Sequence, residues 1–168
     1  AYHAAILSQT LLPGEKVLIH AAAGGLGTAL VQIALWKGCT VIGVAGGSEK
    51  VEYLKNLGVH HVVDHHRINW TDYVHQHLNG RVDVIFDNIG GSSIKKGKSV
   101  LAHGGRIVTL GAAALSGKKG KLNLIRLGLG FGFFSPIAYL SKSQSLIGVN
   151  MLKIADYRPD MLAESFKG

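Results

Sequence analysis

The sequence has almost no cysteine, little proline and no long uninterrupted apolar run. Cys39 is the only cysteine among 168 residues, which excludes a disulfide within the chain and a zinc site built on several cysteines. The longest apolar stretch, residues 127–140, is broken by three glycines and Pro136. At about 14 residues it is shorter than the roughly 20 that a membrane span needs. We therefore expect no stable membrane insertion.

Acidic residues are also scarce, with 10 Asp and Glu against 18 Lys and Arg, for a formal net charge of +8. Such a balance raises the question of a nucleic-acid or acidic-membrane partner. The lysines cluster near positions 95–98 and 118–121, with few aromatic residues among them. A solvated basic surface explains this pattern better, and we expect no nucleic-acid partner. The N-terminal residues show no basic signal-peptide region, and we expect a cytoplasmic protein.

What the sequence does have is an alternation of β-branched apolar runs with helical apolar spacing. We predict strands at 16–20, 40–45, 62–64, 82–87, 106–110 and 145–151, with helices beginning near 26, 48, 70 and 92. Residues 112–144 have no regular pattern, and a helix begins near 156. Alternating strands and helices imply right-handed crossovers and a parallel sheet. The predicted fold is therefore an α/β doubly wound, six-stranded Rossmann sheet with helices on both faces.

This predicted fold occupies residues 1–168 as one domain. The chain begins without Met and its last helix is short, so we expect it to be a domain excised from a longer chain.

A glycine-rich turn joins the first predicted strand to the first helix. Its pattern is Ala22-x-Gly24-x-x-Gly27, with alanine where a dinucleotide-binding turn usually has its first glycine. Gly24 matches the position where the backbone approaches a pyrophosphate, and Gly27 matches the position where the helix packs closely on the strand. The free N–H groups of the helix would favour the phosphate charge. A structural glycine turn is the alternative interpretation.

The end of the second strand bears on which dinucleotide binds. Cofactors with a free 2′-hydroxyl usually find an acidic residue there, but this strand ends in Ala45-Gly46-Gly47. Ser48 and Lys50 follow, and they can donate to and neutralise a 2′-phosphate. We therefore predict NADP(H), with Glu49 directed to solvent. The alternative is that Ser48 only caps a helix and Lys50 is only a surface charge.

Four segments together resemble the cofactor-binding domain of the medium-chain dehydrogenase/reductase superfamily. Within it, the chain looks most like the zinc-independent quinone oxidoreductases and the related vesicle amine transport protein-like members. The segments follow the family's order along the chain: residues 12–20 (LPGEKVLIH), 21–27 (AAAGGLG), 83–91 (DVIFDNIGG) and 104–108 (GGRIV).

The resemblance implies a set of functional properties. Full-length members carry a separate GroES-like catalytic domain, which this chain lacks, and transfer hydride from NADPH to quinones, enones or similar activated double bonds. Their cofactor domains pair as homodimers through the sixth strand. The cofactor would contact Ala23, Gly24, Gly25, Leu26 and Gly27 at the pyrophosphate, Gly46, Ser48, Lys50 and His65 around the 2′-phosphate, and Asn88, Gly111 and Val149 along the crevice toward the nicotinamide. Quinone reductases often have tyrosine near the place of His65.

Other residues suggest chemistry that we do not assign. The nine histidines, above all the pairs at 60–61 and 65–66, lack cysteine partners and predict no metal site. Asp83 and Asp87 lie on one face of the fourth strand, too far apart to share a proton. Ser92 and Ser93 fit helix capping better than nucleophilic catalysis. No catalytic residue is identified.

Two functions remain open at this point. The first is the NADPH-binding domain of a reductase that acts on a small-molecule quinone, enone or similar acceptor. The second is a cofactor-binding regulatory or membrane-associated module with little turnover, which the basic charge and the apolar 127–140 stretch suggest. We expect most of the substrate pocket to belong to the second domain.

Overall fold

The computed structural model describes residues 1–110 and 135–166. Within them the chain forms one six-stranded sheet in which every strand pair is parallel. The strands are β1 (Lys16–His20), β2 (Thr40–Ala45), β3 (His61–Asp64), β4 (Val82–Asp87), β5 (Leu101–Thr109) and β6 (Ser145–Gly148).

Helices connect the strands and follow the last one. They are α1 (Gly25–Trp36), α2 (Ser48–Asn56), α3 (Trp70–His77), α4 (Ser92–Val100), α5 (Pro136–Lys142), α6 (Met151–Tyr157) and α7 (Pro159–Ser165). A single π-helical turn, His3–Leu7, precedes β1.

The strand order is β3-β2-β1-β4-β5-β6. The chain therefore builds outward from β1 to β3, then returns to the other side of β1 for β4. In open parallel sheets, the crevice where the strand order reverses is where ligands bind, at the carboxyl ends of the strands. Here that crevice lies between β1 and β4. The predicted doubly wound Rossmann sheet is confirmed.

Two apolar layers cover the two faces of the sheet. Alternate residues of β1 divide between them: Val17 and Ile19 pack with α1 and α2, whereas Leu18 packs with α3 and α4. All three side chains are fully buried, as expected when helices cover both faces of a parallel sheet.

The predicted bounds differ from the observed ones at three strands: β3 begins one residue earlier, at His61, and β5 and β6 differ by more. β5 begins at Leu101, not Arg106, because its pairing with β4 continues through a register shift between Val82 and Val84. Gly104, with φ of 76°, adopts the left-handed conformation within this irregular stretch. β6 ends at Gly148, before the predicted 151, because Asn150 caps α6 by accepting a hydrogen bond from the N–H of Lys153.

Helices were also missed. The segment expected to be irregular contains α5 at its end, with Pro136 in the first turn. The final helix, expected from 156, is two helices over 151–157 and 159–165. Ser48 does not cap α2: Gly47, with φ of 92°, occupies the cap position, and Ser48 is the first helical residue.

Candidate nucleotide-binding site

The glycine-rich turn lies directly at the carboxyl end of β1. Ala21 has φ of 47°, a conformation that alanine rarely adopts and that costs of order 1–3 kcal/mol. The turn closes when the N–H of Gly24 donates to the carbonyl of Ala21, and α1 starts as the N–H of Thr28 donates to Gly24. The chain thus leaves the strand and enters the helix within four residues.

Gly27 is required where α1 crosses β1. A Cβ built at Gly27 would lie 2.7 Å from Cα of Ala22 and closer still to the carbonyl oxygen of Ala21. Both neighbours are backbone, so neither can move aside without displacing the helix. The structure therefore places Gly27 at the packing position that the sequence predicted.

Gly24 and Gly25 face solvent instead. A Cβ at Gly25 would meet nothing within 4 Å, and one at Gly24 would be 3.3 Å from the Ala21 oxygen. Ala23 is half-buried and Leu26 exposed. Because the first N–H groups of a helix have no partner within it, and α1 has no side-chain cap and no acidic residue in its first turn, an anion can approach this open face.

The end of β2 carries no acidic side chain. Gly46 is half-buried there, and a Cβ on it would be 2.7 Å from the ring Nε2 of both His65 and His66. Ser48 and Lys50 are exposed in the first turn of α2, next to the turn that contains Gly46. Glu49 is exposed too, as expected. Ser48, Lys50 and the paired imidazoles thus flank the same loop.

Asp64, the last residue of β3, organises this loop. Its Oδ1 accepts hydrogen bonds from the N–H groups of His66, at 3.0 Å, and Gly47, at 3.3 Å. The bond from His66 is the main reason that the pKa of Asp64 lies below its ordinary value. Arg67 lies 3.7 Å from Oδ2 with most of its side chain exposed. Asp64 is therefore engaged by the protein, and Arg67 adds a cation beside His65.

A cavity of about 490 Å³ opens at the reversal point of the sheet, within the size range of small-molecule sites. His20 and Ala21 of the β1 end and Val44 of β2 contribute to its wall, as do the loop from His65 to Trp70, Ile89 after β4 and Lys96 of α4. It has apolar and basic lining residues but no acidic one. It therefore suits a ligand with an aromatic part and a negative charge.

The end of β4 is fixed by a buried carboxylate. Asp87, fully buried, accepts hydrogen bonds from the N–H groups of Ile89 at 2.8 Å and Gly90 at 2.7 Å, and from the hydroxyl of Ser93. These bonds hold the turn that contains half-buried Asn88. Ser93 thus supports Asp87, and α4 is capped at Gly91 without a side-chain bond, so the expected capping role of Ser92 and Ser93 is wrong.

The remaining predicted contacts lie toward β6. Val149, directly after β6, is buried, and its N–H donates to Thr109 at the end of β5. Gly111 lies outside the described residues. Asp83 accepts a hydrogen bond from the N–H of Lys16, at the opposite end of the strand from Asp87. The two carboxylates therefore have separate structural roles.

The chain is similar to several known proteins. A family profile described as "Zinc-binding dehydrogenase" matches residues 25–166. Human quinone oxidoreductase is 30% identical over 152 residues, covering 90% of this chain and 41% of that protein. The human synaptic vesicle membrane protein VAT-1 homolog is 42% identical over 106 residues, covering 62% of this chain and 27% of that protein. The chain spans less than half the length of these curated relatives.

Two solved structures resemble the chain closely. The nucleotide-binding subdomain of the enoylreductase domain of PpsC from Mycobacterium tuberculosis has a TM-score of 0.77 and 30% identity, with 99% of this chain and 86% of that chain covered. The quinone oxidoreductase from Thermus thermophilus, described with and without NADPH, has a TM-score of 0.67 and 26% identity, with 93% and 44% covered.

Fold and site together define a Rossmann domain of the dinucleotide-binding type. The profile match over most of the chain goes further: the protein belongs to the zinc-binding dehydrogenase family. Within the medium-chain dehydrogenase/reductase superfamily it falls in the branch of the quinone oxidoreductases and VAT-1 homologues, which is the resemblance that its motifs indicated.

The family name raises the question of zinc, and the described residues do not fit it. Within 1–110 and 135–166, no three His, Cys, Asp or Glu side chains come together as ligands. The thiol of Cys39 is buried and donates to the carbonyl of Leu12, and burial raises its pKa to about 11. In the same residues no helix is long and apolar enough to cross a membrane.

Sequence reasoning missed His20, Arg67, Trp70, Ile89 and Lys96 as parts of one cavity. His20 ends β1 and Ile89 lies just after β4, so the carboxyl-end rule could have suggested both. Lys96 and Trp70 lie on α4 and α3, and only the packing of these helices brings them to the same opening.

Proposed function

We propose that this chain is the NADPH-binding domain of a reductase that delivers hydride to an activated double bond. Two neighbouring features carry the proposal. The glycine turn after β1 is open to solvent, and the end of β2 has no acidic side chain. The β2 end is flanked by polar and basic residues, namely Ser48, Lys50, His65 and Arg67. The NADPH described for the Thermus thermophilus structure supports the same cofactor.

Each part of the cofactor has a matching part of the site. Residues 23–27 would hold the pyrophosphate through backbone N–H groups, and the cations beside Gly46 would hold the 2′-phosphate. The cavity between β1 and β4 would take the adenine, and Asn88 and Val149 would line the path toward the nicotinamide. NADPH, when bound, supplies the hydride; the protein binds it, orients it and excludes water.

The cofactor preference is tested by comparing NADPH and NADH binding to the wild-type chain. We expect NADPH to bind at least tenfold more tightly, because charge-assisted hydrogen bonds to a phosphate contribute about 1.5–3 kcal/mol. Lys50→Ala should weaken NADPH binding about tenfold and leave NADH binding unchanged. Lys55→Ala is the matched control, since Lys55 is on the same helix but pairs with Glu52. NADH binding as tight as NADPH would refute the proposal.

The acceptor is proposed to be a quinone, an enone or an enoyl thioester. Quinone oxidoreductase and enoylreductase domains are among the similar proteins, and both names describe reduction of an activated double bond. The test uses the full-length protein, with NADPH oxidation followed by absorbance over a panel of these three acceptor classes. Turnover of at least one class is expected. NADPH oxidation by simple aldehydes alone would contradict the proposal.

A second function is supported by the 42% identity to a synaptic vesicle membrane protein homolog. In that case the domain binds NADPH but serves a regulatory or membrane-associated role with little turnover. The same full-length assay separates the two functions: tight NADPH binding without oxidation against any acceptor class would favour this one. Co-sedimentation with acidic vesicles would then test the membrane association directly.

We also propose a homodimer formed through β6. This strand lies at the edge of the sheet and pairs with β5; Leu146 is 37% exposed and Ile147 half-buried. An open apolar edge can pair with a second copy. Sedimentation should show a dimer, which Leu146→Lys should weaken, whereas Lys142→Ala, in the exposed end of α5, should not. A wild-type monomer at high concentration would count against this.

A further inference from the structure

His20 is a buried polar side chain with no partner in the protein. It is the last residue of β1, and only 1% of its surface is exposed. Within the described residues neither ring nitrogen has a hydrogen-bond partner. A buried polar group without a partner is unfavourable unless something else satisfies it. His20 also lines the cavity between β1 and β4, so a ligand in the cavity would lie beside a buried polar side chain that has no partner.

Burial favours the neutral form of the His20 imidazole. Burial is the main cause that lowers its pKa; Asp87 opposes this and His65 adds to it. Asp87 already accepts bonds from Ile89, Gly90 and Ser93. A neutral imidazole has one donor and one acceptor. It therefore matches an uncharged heteroaromatic group better than it matches a phosphate.

The cavity has an apolar part near His20 and a basic part at its exposed side. Near His20 the wall is apolar or aromatic: the ring of Trp70 lies edge-on at 4.8 Å between centroids, and Ala21 and Val44 complete the wall. The cations Arg67 and Lys96 are exposed. A phosphate would stay with these exposed cations, while a flat, neutral ring would enter toward His20.

We infer that His20 recognises the purine base of the cofactor by a hydrogen bond from its imidazole ring. This rests on the proposed function, because it takes the cavity to be the adenine end of the NADPH site. His20 is in this sense a specificity-determining residue. Residues 23–27 and the cations beside Gly46 are proposed to hold phosphates, and His20 adds a hydrogen bond to the base.

The experiment measures binding of 2′,5′-ADP, which carries adenine and both phosphates but no nicotinamide, to the 168-residue chain by calorimetry. His20→Phe keeps a ring against Trp70 but cannot hydrogen-bond. It should weaken binding about tenfold, the size of one lost hydrogen bond. Its affinity for inorganic pyrophosphate, measured by competition, should stay within about twofold, because no base is present.

Conservative variants separate hydrogen bonding from packing. In His20→Gln the side-chain amide lies near the position of Nε2, and in His20→Asn it lies near that of Nδ1. The variant whose amide replaces the ring nitrogen that makes the bond should regain most of the lost affinity. If His20→Phe does not fold, these two variants carry the test: one should bind near wild type and the other about tenfold more weakly. His61→Phe is the matched control, since His61 bonds Tyr73 outside the cavity.

The outcomes are distinct from those of the proposed function. If the wild-type chain binds 2′,5′-ADP and folded His20→Phe binds it equally well, the role of His20 is refuted and the NADPH site stands. Equal losses in Phe, Gln and Asn variants, or a parallel loss of pyrophosphate binding, would refute it too, because they indicate packing. If wild type binds neither 2′,5′-ADP nor NADPH, both proposals are wrong.

Discussion

The close crossing of α1 over β1 makes a quantitative prediction for Gly27→Ala. A new Cβ would lie 2.7 Å from Cα of Ala22, against about 3.5–4.0 Å for carbon atoms in contact. The helix must therefore move by about 1 Å. Overpacking of this kind costs up to about 3 kcal/mol, and alanine in a helix recovers about 1 kcal/mol relative to glycine. The expected net loss is about 2 kcal/mol.

The assay is thermal unfolding followed by circular dichroism, with urea unfolding as a check. For a domain of this size, a loss of about 2 kcal/mol lowers Tm by about 4–8 °C. Gly25→Ala is the control, because a Cβ there would meet nothing within 4 Å. Because Gly25 is the first residue of α1, we expect its stability to stay unchanged or to rise by up to about 1 kcal/mol. NADPH binding should weaken, because the methyl group would lie on the open side where we propose the pyrophosphate.

A stability of Gly27→Ala within about 0.5 kcal/mol of wild type would refute the reasoning. It would mean that the helix yields without loss, and that the glycine is not a packing requirement. Equal destabilisation of Gly25→Ala would refute it from the other side, since the effect would then not depend on the crossing.

The other predictions concern the residues that shape the site. Asp87→Asn should cost about 2–4 kcal/mol in urea unfolding, because Asn replaces an acceptor of three hydrogen bonds in a fully buried position; less than about 1 kcal/mol would contradict this. Because burial lowers the pKa of His20, the unfolded chain takes up a proton near pH 6.5 before the folded chain does. The contribution of His20 to stability should therefore be fully present above that pH and be lost as the pH falls below it. Urea midpoints at several pH values should fall less steeply for His20→Phe, and an unchanged slope would argue against it. Gly43→Ala should cost about 1–2 kcal/mol, since its Cβ would be 3.1 Å from Leu54 and 3.3 Å from Ala22; thermal unfolding should show a smaller cost when Ala22→Gly is also present, and strict additivity would contradict the contact.

The strands of the first half of the fold could be predicted from the sequence because their signals are local. β1, β2 and β4 have the predicted bounds, since each is a β-branched apolar run that ends at glycine or a polar residue. Gly104 and Gly105 also signal a turn, but there the structure continues as β5. Only pairing with β4, through a register shift far along the chain, decides that conformation. Local patterns contain no information about such a partner.

The same distinction between local and long-range signals applies to the site. The glycine turn and the acid-free end of β2 are contiguous segments, so spacing and residue type were enough to indicate them. The cavity joins His20 to Trp70, Ile89 and Lys96, which are separated by 50 residues or more from β1. Their meeting depends on the return of the chain from β3 to β4 beside β1. The sequence predicts that topology, but it does not predict which side chains the topology brings together.

The alanine at position 22, where such turns usually have glycine, is explained by a neighbour on another strand. Ala22 is fully buried, and its N–H donates to the carbonyl of Val44 on β2, so its methyl group must fit between β1 and β2. Gly43 supplies that space: a Cβ on Gly43 would be 3.3 Å from the Ala22 methyl. The requirement for a small residue is therefore met by the pair and not by one position. The turn keeps its tight exit through the left-handed conformation of Ala21, and the departure from the glycine pattern leaves the backbone at Gly24 and Gly25 open to solvent.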